Sequence, residues 1–209
     1  MNMKIPRRLA AWILSKSGAR FSKRLDREKQ LLFSTIQGGT VLEIGPGDGG
    51  NLPYLANPRN ISYIGVEPNP FLRERTWLRA LELNFPHPVL LSGAAEDIPC
   101  RAGSVDALIS TLVLCSVPSP ARAVREIRRV LSPGGTFYFI EHVAAPAGTL
   151  ACFGQRVIKP FTLWCGDGCH PDRSTLEVIR ENGFSKISFS RLVLPRLPLS
   201  PLIIGTAVK

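Results

Sequence analysis

Val41-Leu-Glu-Ile-Gly-Pro-Gly-Asp-Gly-Gly-Asn51 runs from an apolar stretch directly into a loop with glycine at 45, 47, 49 and 50. A buried strand that ends in such a loop and then opens a helix, here near Leu52, is the ligand-binding turn of an α/β sheet. Glycine lets the backbone approach a ligand closely and adopt positive φ. Gly45, Gly47 and Gly50 also satisfy the dinucleotide pattern G-x-G-x-x-G, so the loop alone does not choose the ligand.

Three neighbouring features narrow it. Glu43 lies inside the strand, where an unpaired carboxylate is costly to bury. A cationic amino-acid ligand with free N–H groups satisfies it, directly or through water. Glu67 ends the second strand, where a carboxylate can accept both hydroxyls of a ribose. Ala94-Ala-Glu-Asp97 follows the third strand, and an acidic side chain with a backbone N–H there can read an adenine edge. The carboxyl ends of successive strands are where open α/β sheets bind ligands.

From Thr40 onward the chain alternates strand and helix patterns. Strands are predicted at 41–44, 61–67, 89–91, 107–111 and 136–140, mostly apolar as parallel strands buried on both faces are. The clearest helix is 121–131, with Ala121, Val124, Ile127 and Leu131 on its buried side. Ser119 is its expected N-cap, Pro120 its first residue and Gly134-Gly135 the turn back into strand. Residues 142–172 read as a long connection rich in Pro, Gly and aromatics. A helix over 174–182 and two strands, 186–192 and 202–208, follow; the short link makes these two antiparallel neighbours. The fold class is therefore α/β, with a seven-stranded, mostly parallel sheet and helices on both faces.

Composition limits the remaining classes. The 209 residues are 44% hydrophobic and 20% charged, which excludes wholesale disorder. Five cysteines are too few for a disulfide scaffold, and the longest early apolar run, Leu9–Leu14, is too short for a signal core or a span. The expected compartment is the cytoplasm, with peripheral contact at a membrane surface as the refinement. Of the formal charge of +10, residues 1–29 carry +7, from nine Lys and Arg against Asp26 and Glu28. The domain reading is a basic amphipathic helical arm over 1–37 and an α/β domain over 38–209.

Within the arm Ile5, Leu9, Trp12 and Ile13 recur at helical spacing, and Phe21, Leu25, Leu32 and Ile36 form a second stripe. Two readings stay open. The helices pack on the domain or cover its ligand, or residues 1–17 lie in the interface of an anionic membrane, where Trp12 and the cations suit the headgroups. The pattern does not match a nucleic-acid face, and nothing in it fixes an oligomeric state.

Taken in order, Glu43–Gly49, Val66-Glu67-Pro68-Asn69, Ala95-Glu96-Asp97, Ser104-Val105-Asp106 and Arg129-Val-Leu-Ser-Pro-Gly-Gly135 resemble the motifs of class I S-adenosylmethionine-dependent methyltransferases. The resemblance covers roughly residues 38–209 and implies a Rossmann-like sheet of order 3-2-1-4-5-7-6 with strand 7 antiparallel. It implies S-adenosylmethionine as cofactor, with Glu43, Gly45, Gly47 and Gly49 at the methionine end. Glu67, Pro68 and Asn69 would hold the ribose, and Ala95 with Glu96 or Asp97 the adenine. Thr111 joins this cofactor set. A narrower resemblance rests on Thr111-Leu-Val-Leu-Cys-Ser-Val117, Phe137-Tyr-Phe-Ile-Glu-His-Val-Ala-Ala145, Asp167-Gly-Cys169 and Thr206-Ala-Val-Lys209. These are similar to small membrane-associated methyltransferase-like proteins that S-methylate alkyl thiols.

The methyl of a sulfonium cofactor is already activated, so the protein chiefly aligns a nucleophile behind it. His142, next to Glu141, is the candidate to take a thiol's proton or orient the acceptor. Asp167 and His170 are further candidates, and the 142–172 connection is expected to wall an apolar acceptor pocket. No metal is expected: Cys165-Gly-Asp-Gly-Cys169-His170 has one residue too many for haem attachment and no evident fourth zinc ligand. Cys100, Cys115 and Cys152 read as small buried hydrophobes. Rival readings are a lipid, phospholipid-amine or quinone methyltransferase, a nicotinamide dehydrogenase, against which no Tyr-x-x-x-Lys pair is found, and a non-catalytic cofactor-binding protein at a membrane.

Overall fold

The computed structural model describes residues 6–9, 11–12, 14–15, 23–56, 60–165, 168–193 and 201–209. Its centre is a seven-stranded sheet of order β3-β2-β1-β4-β5-β7-β6. The strands are β1 (Gly39–Ile44), β2 (Ile61–Val66), β3 (Val89–Leu91), β4 (Val105–Thr111), β5 (Leu131–His142), β6 (Lys186–Leu192) and β7 (Leu202–Val208). The first five pair in parallel, while β7 runs antiparallel to both β5 and β6. The expected topology is the observed one. Because β1 lies between β2 and β4, the chain reverses its winding there and leaves a crevice at the carboxyl ends of these strands.

Alternation along each strand divides the core between the two sheet faces. Leu42, Ile44, Leu108, Phe137 and Phe139 pack with Val124 and Ile127 of α4 (Pro120–Val130) and with Ile179 of α6 (Thr175–Arg180). Val41, Tyr63, Ile109, Tyr138 and Ile140 pack on the other face with Leu52 and Leu55 of α2 (Leu52–Leu55). Leu25, Phe33 and Ile36 join that second core, Leu25 in a 3₁₀ turn (Lys23–Leu25) and Phe33 at the end of α1 (Asp26–Phe33). Burying each such side chain contributes on the order of 1.5–3 kcal/mol. Leu32 of the expected stripe is only partly buried, and Phe33 takes the central place; Phe21 lies outside the described residues.

Three local expectations are corrected. Helix α4 stops at Val130, and β5 begins at Leu131, so the Pro133-Gly134-Gly135 segment lies within a 12-residue strand. Ser119 does occupy the N-cap position, but its side chain makes no capping bond; Glu96 Oε1 accepts from the Ser119 N–H at 3.0 Å instead. The 142–172 connection contains a 16-residue helix, α5 (Leu150–Cys165), despite Pro160 within it. Helix α3 (Pro70–Glu82) flanks β2 and β3, and its N-cap Asn69 accepts from the Phe71 N–H at 3.0 Å.

In the arm, residues 7–9, 11–12 and 14–15 are helical. Ala11 is buried, whereas Leu9 and Trp12 are 47% and 50% exposed, so these members of the expected stripe face outward. Ile5 and Ile13 lie outside the described residues. Two hydrogen bonds tie the arm to the start of α3: Asn69 Nδ2 donates to the Arg7 carbonyl at 3.0 Å, and Arg75 Nη1 to Ser15 Oγ at 2.6 Å. Among the described residues no helix is long and apolar enough to cross a membrane.

Candidate active site

Glu43 is held by the protein itself. Tyr63 donates its hydroxyl to Oε2 at 2.7 Å, and Asn51 Nδ2 donates to Oε1 at 2.7 Å. The same Asn51 amide reaches Thr111 Oγ1 at 2.9 Å, which links the ends of β1 and β4. Burial pushes the Glu43 carboxyl above its ordinary range, opposed by those two hydrogen bonds and by the Lys29 ammonium. The expected satisfaction of Glu43 by a ligand is thus met first by internal donors. Neither Asn51 nor Tyr63 stands out in the sequence as a site residue, because nothing local shows that they converge on Glu43. Asn51 Oδ1 is buried and accepts no hydrogen bond.

Gly45, Gly47 and Gly49 all have positive φ, at +57°, +62° and +76°. At Gly45 a Cβ would also meet Val113 Cγ2 at 2.7 Å, so the loop needs glycine for space as well as conformation. At Gly47 a Cβ would meet nothing within 4 Å: here the missing side chain leaves room above the backbone. Thr76 of α3 fixes the loop by donating to the Gly47 carbonyl at 2.7 Å.

Glu67 follows β2 directly, 5% exposed. Its Oε2 accepts from the Gly47 N–H at 3.2 Å and its Oε1 from the Asn69 N–H at 2.9 Å. The carboxylate thereby joins the glycine loop to the Pro68-Asn69 turn, with Pro68 exposed and Asn69 half-buried. Beyond β3, Ala95 is buried and Asp97 is exposed. Glu96 is occupied in capping α4. Glu43, the glycine loop, Glu67, Thr111 and residues 95–97 stand at the carboxyl ends of β1, β2, β4 and β3.

The acceptor side lies past β4 and β5. Leu112 takes φ +59°, rare for a residue other than glycine, and turns the chain sharply after Thr111. Glu141 holds that turn: its Oε1 accepts from Ser110 Oγ at 2.5 Å and from the Val113 N–H at 3.1 Å. The turn delivers Cys115 against two other segments. Cys115 Sγ and Cys169 Sγ share a hydrogen bond at 3.5 Å, and Cys169 Sγ lies 3.8 Å from His142 Nδ1. The contact with Cys115, followed by His142, pulls the Cys169 thiol down to about 5, while Cys115 is pushed well up.

Cys115 is buried as expected, but Cys100 and Cys152 are only half-buried. His170 donates its backbone N–H to the Cys115 carbonyl at 2.8 Å. Asp167 lies outside the described residues. Helix α5 anchors the segment through buried Gln155, whose Nε2 donates to the carbonyls of Val143 and Pro171 and whose Oε1 accepts from the Ala145 N–H. Its opposite side presents Leu150, Phe153, Val157, Phe161 and Trp164 to solvent.

Comparison with known proteins bears on the family and the fold. The family model described as "Methyltransferase domain" matches residues 42–139. The chain is 35% identical to thiol S-methyltransferase TMT1B of Rattus norvegicus, over 95% of this chain and 85% of the relative. It is 35% identical to thiol S-methyltransferase TMT1A of Homo sapiens, over 90% and 81%. Among solved structures, the [4+2]-cyclase SpnF superposes with a TM-score of 0.70 at 21% identity, covering 89% of this chain and 80% of that one, a likeness of fold alone. With near full-length relatives at this identity and a sheet of matching order, the chain belongs to the class I S-adenosylmethionine-dependent methyltransferases, in the group that includes TMT1A and TMT1B.

Proposed function

We propose that the chain transfers the methyl group of S-adenosylmethionine to the sulfur of a small apolar thiol. The observation that carries the acceptor is the 35% identity, over 95% of this chain, to a thiol S-methyltransferase. The cofactor supplies an activated methyl group; the protein supplies its grip and the alignment of the acceptor.

Asn51 Oδ1 supports the cofactor's place. A buried acceptor without a donor costs on the order of 1–3 kcal/mol, and the ammonium of a bound amino acid offsets that cost. In this reading Gly45, Gly47 and Gly49 admit the methionine end. Glu43 acts by holding Asn51 and Thr111 in place, and its remaining lone pairs are available to the same ammonium. Glu67 accepts from the ribose hydroxyls, framed by Pro68 and Asn69. Asp97, with the backbone of Ala95, reads the adenine, while Glu96 supports that turn from α4.

The acceptor's sulfur would lie beyond β4 and β5, where His142 meets Cys115 and Cys169. A thiol of ordinary pKa, about 8.5, is partly ionised at neutral pH, so a cluster that favours the thiolate raises the rate. The 142–172 connection, fastened by Gln155, would wall that pocket. We place residues 1–17 at an anionic membrane surface, supported by exposed Arg7, Arg8, Leu9 and Trp12. An assay of adenosylhomocysteine formation tests the acceptor: turnover with alkyl thiols and none with lipid extracts is expected. Turnover with lipid alone would overturn the thiol reading.

A further inference from the structure

Cys115, His142 and Cys169 come from three separate segments, yet their ligand atoms lie within 4.8 Å of one another and all three residues are buried. The sulfurs are 3.5 Å apart, well beyond a disulfide bond of about 2.05 Å. Two of the three spacings instead fit a tetrahedral metal, and the third, from Cys115 to His142, lies within 4.8 Å. With zinc–sulfur bonds of about 2.3 Å and a zinc–nitrogen bond of about 2.05 Å, tetrahedral edges are about 3.8 Å between sulfurs and about 3.6 Å between sulfur and nitrogen. The observed edges are 3.5 Å and, from Cys169 Sγ to His142 Nδ1, 3.8 Å.

The backbone of each residue is fixed. The Cys115 carbonyl accepts from the His170 N–H at 2.8 Å, the His142 carbonyl from Thr175 Oγ1 at 2.9 Å, and the Cys169 carbonyl from Thr162 Oγ1 at 2.9 Å. Arg173 Nη1 closes the turn around Cys115 by donating to the carbonyls of Leu114 and Val117. A site held this firmly before the ion arrives loses little order on binding it. Two cysteines and one histidine are also a soft donor set that suits zinc.

We propose that Cys115 Sγ, His142 Nδ1 and Cys169 Sγ bind a zinc ion whose fourth position takes the sulfur of the methyl acceptor. Among the described residues the group has three members, the ligand count of catalytic zinc sites, in which substrate completes the tetrahedron. The second half of the proposal rests on the thiol reading above; the first does not. Coordination releases the acceptor's S–H proton to solvent, because a metal-bound thiol is deprotonated. A lone pair on that sulfur then attacks the methyl carbon of the sulfonium. The new carbon–sulfur bond forms as the old one breaks, and the departing pair stays on the cofactor's sulfur as neutral adenosylhomocysteine. The methylated product is an uncharged thioether, a poorer ligand than the thiolate, and leaves.

The test uses the full chain, reduced and freed of metal, titrated with Zn²⁺ and, for spectroscopy, Co²⁺. One zinc per chain is expected, with a thiolate-to-cobalt charge-transfer band and tetrahedral ligand-field bands. Cys115→Ser and Cys169→Ser should each lower affinity by more than about 100-fold, the upper end of what losing only a ligand's supporting hydrogen bond costs. Cys152→Ser should bind as wild type. Adding 2-mercaptoethanol to the cobalt form should intensify the charge-transfer band as a further thiolate enters. Absence of stoichiometric metal in folded, reduced wild-type protein overturns the site, whatever the variants do. Metal binding with a band indifferent to the thiol, or full thiol methylation by metal-free enzyme, overturns the role of the fourth position and leaves the thiol reading standing. A thiol-responsive metal in an enzyme that methylates lipid and no thiol would uphold the site while the acceptor reading fails.

Discussion

Tyr63 donates its hydroxyl to Glu43 Oε2 at 2.7 Å, and both residues are 1% exposed. The pair joins β1 to β2 beneath the glycine loop, so the carboxylate at the centre of the site is braced by the neighbouring strand. Replacing Tyr63 with Phe leaves the packing and removes a donor from a buried acceptor. Denaturant unfolding at neutral pH should show a loss of about 1–3 kcal/mol. An unchanged midpoint would mean that the hydroxyl does not brace Glu43.

The same burial sets a pH dependence. Folding raises the Glu43 pKa above its unfolded value, chiefly by desolvation. The folded state therefore binds this proton more tightly, and the stabilisation is complete below the unfolded pKa and lost as pH rises through the folded one. Glu43→Gln cannot titrate there. Wild type should gain stability relative to Glu43→Gln as pH falls toward the unfolded carboxyl's 4.5. A difference that is flat, or of opposite sign, would refute the assignment.

Glu67 accepts from both the Gly47 and Asn69 N–H groups, which sets its carboxylate between the loop and the α3 cap. Glu67→Ala should weaken adenosylhomocysteine binding, read by calorimetry, by about 2–3 kcal/mol for lost charge-assisted hydrogen bonds. Affinity equal to wild type would remove the ribose from this position.

Glu96 and Asp97 are adjacent but differently placed. Glu96 accepts from the Ser119 N–H, so Glu96→Ala should cost about 1 kcal/mol of stability, as loss of a helix cap does. Asp97 is exposed, and Asp97→Ala should leave the unfolding midpoint unchanged while lowering cofactor affinity. Exchanged phenotypes would reverse the two roles.

Most strands were legible because they are short, mostly apolar runs bounded by turn residues; Val89–Leu91, Lys186–Leu192 and Leu202–Val208 have the expected limits. The placement of the glycine loop after β1 and of Glu67 after β2 was legible too, since a glycine loop and carboxylates at strand ends are local signals. Helix α5 was not. Pro160 reads as a breaker, and the stripe at 150, 153, 157, 161 and 164 faces solvent rather than core. The cluster of Cys115, His142 and Cys169 was hidden for another reason. His142 and Cys169 are 27 residues apart, and only the pairing of β4 with β5 and the fold-back after α5 brings the three together. Likewise nothing in the sequence shows that Glu96 reaches Ser119.

The arm supports two uses with different signatures. Arg7 and Ser15 are bonded to Asn69 and Arg75, next to the turn that carries Glu67, so an arm that covers the ligand should affect cofactor binding. Leu9 and Trp12 face outward beside exposed Arg7 and Arg8, so an arm on a membrane should drive vesicle binding. Each basic residue near an anionic surface contributes about 1 kcal/mol, screened by salt. Deleting residues 1–17 removes Lys4, Arg7, Arg8 and Lys16 and should reduce cosedimentation with anionic vesicles at least about tenfold at low salt. Cofactor affinity measured on the same variant separates the readings: vesicle binding lost with affinity kept assigns the arm to the membrane. Affinity lost with vesicle binding kept assigns it to the crevice and leaves the exposed stripe of α5, from Leu150 to Trp164, as the surface that meets lipid.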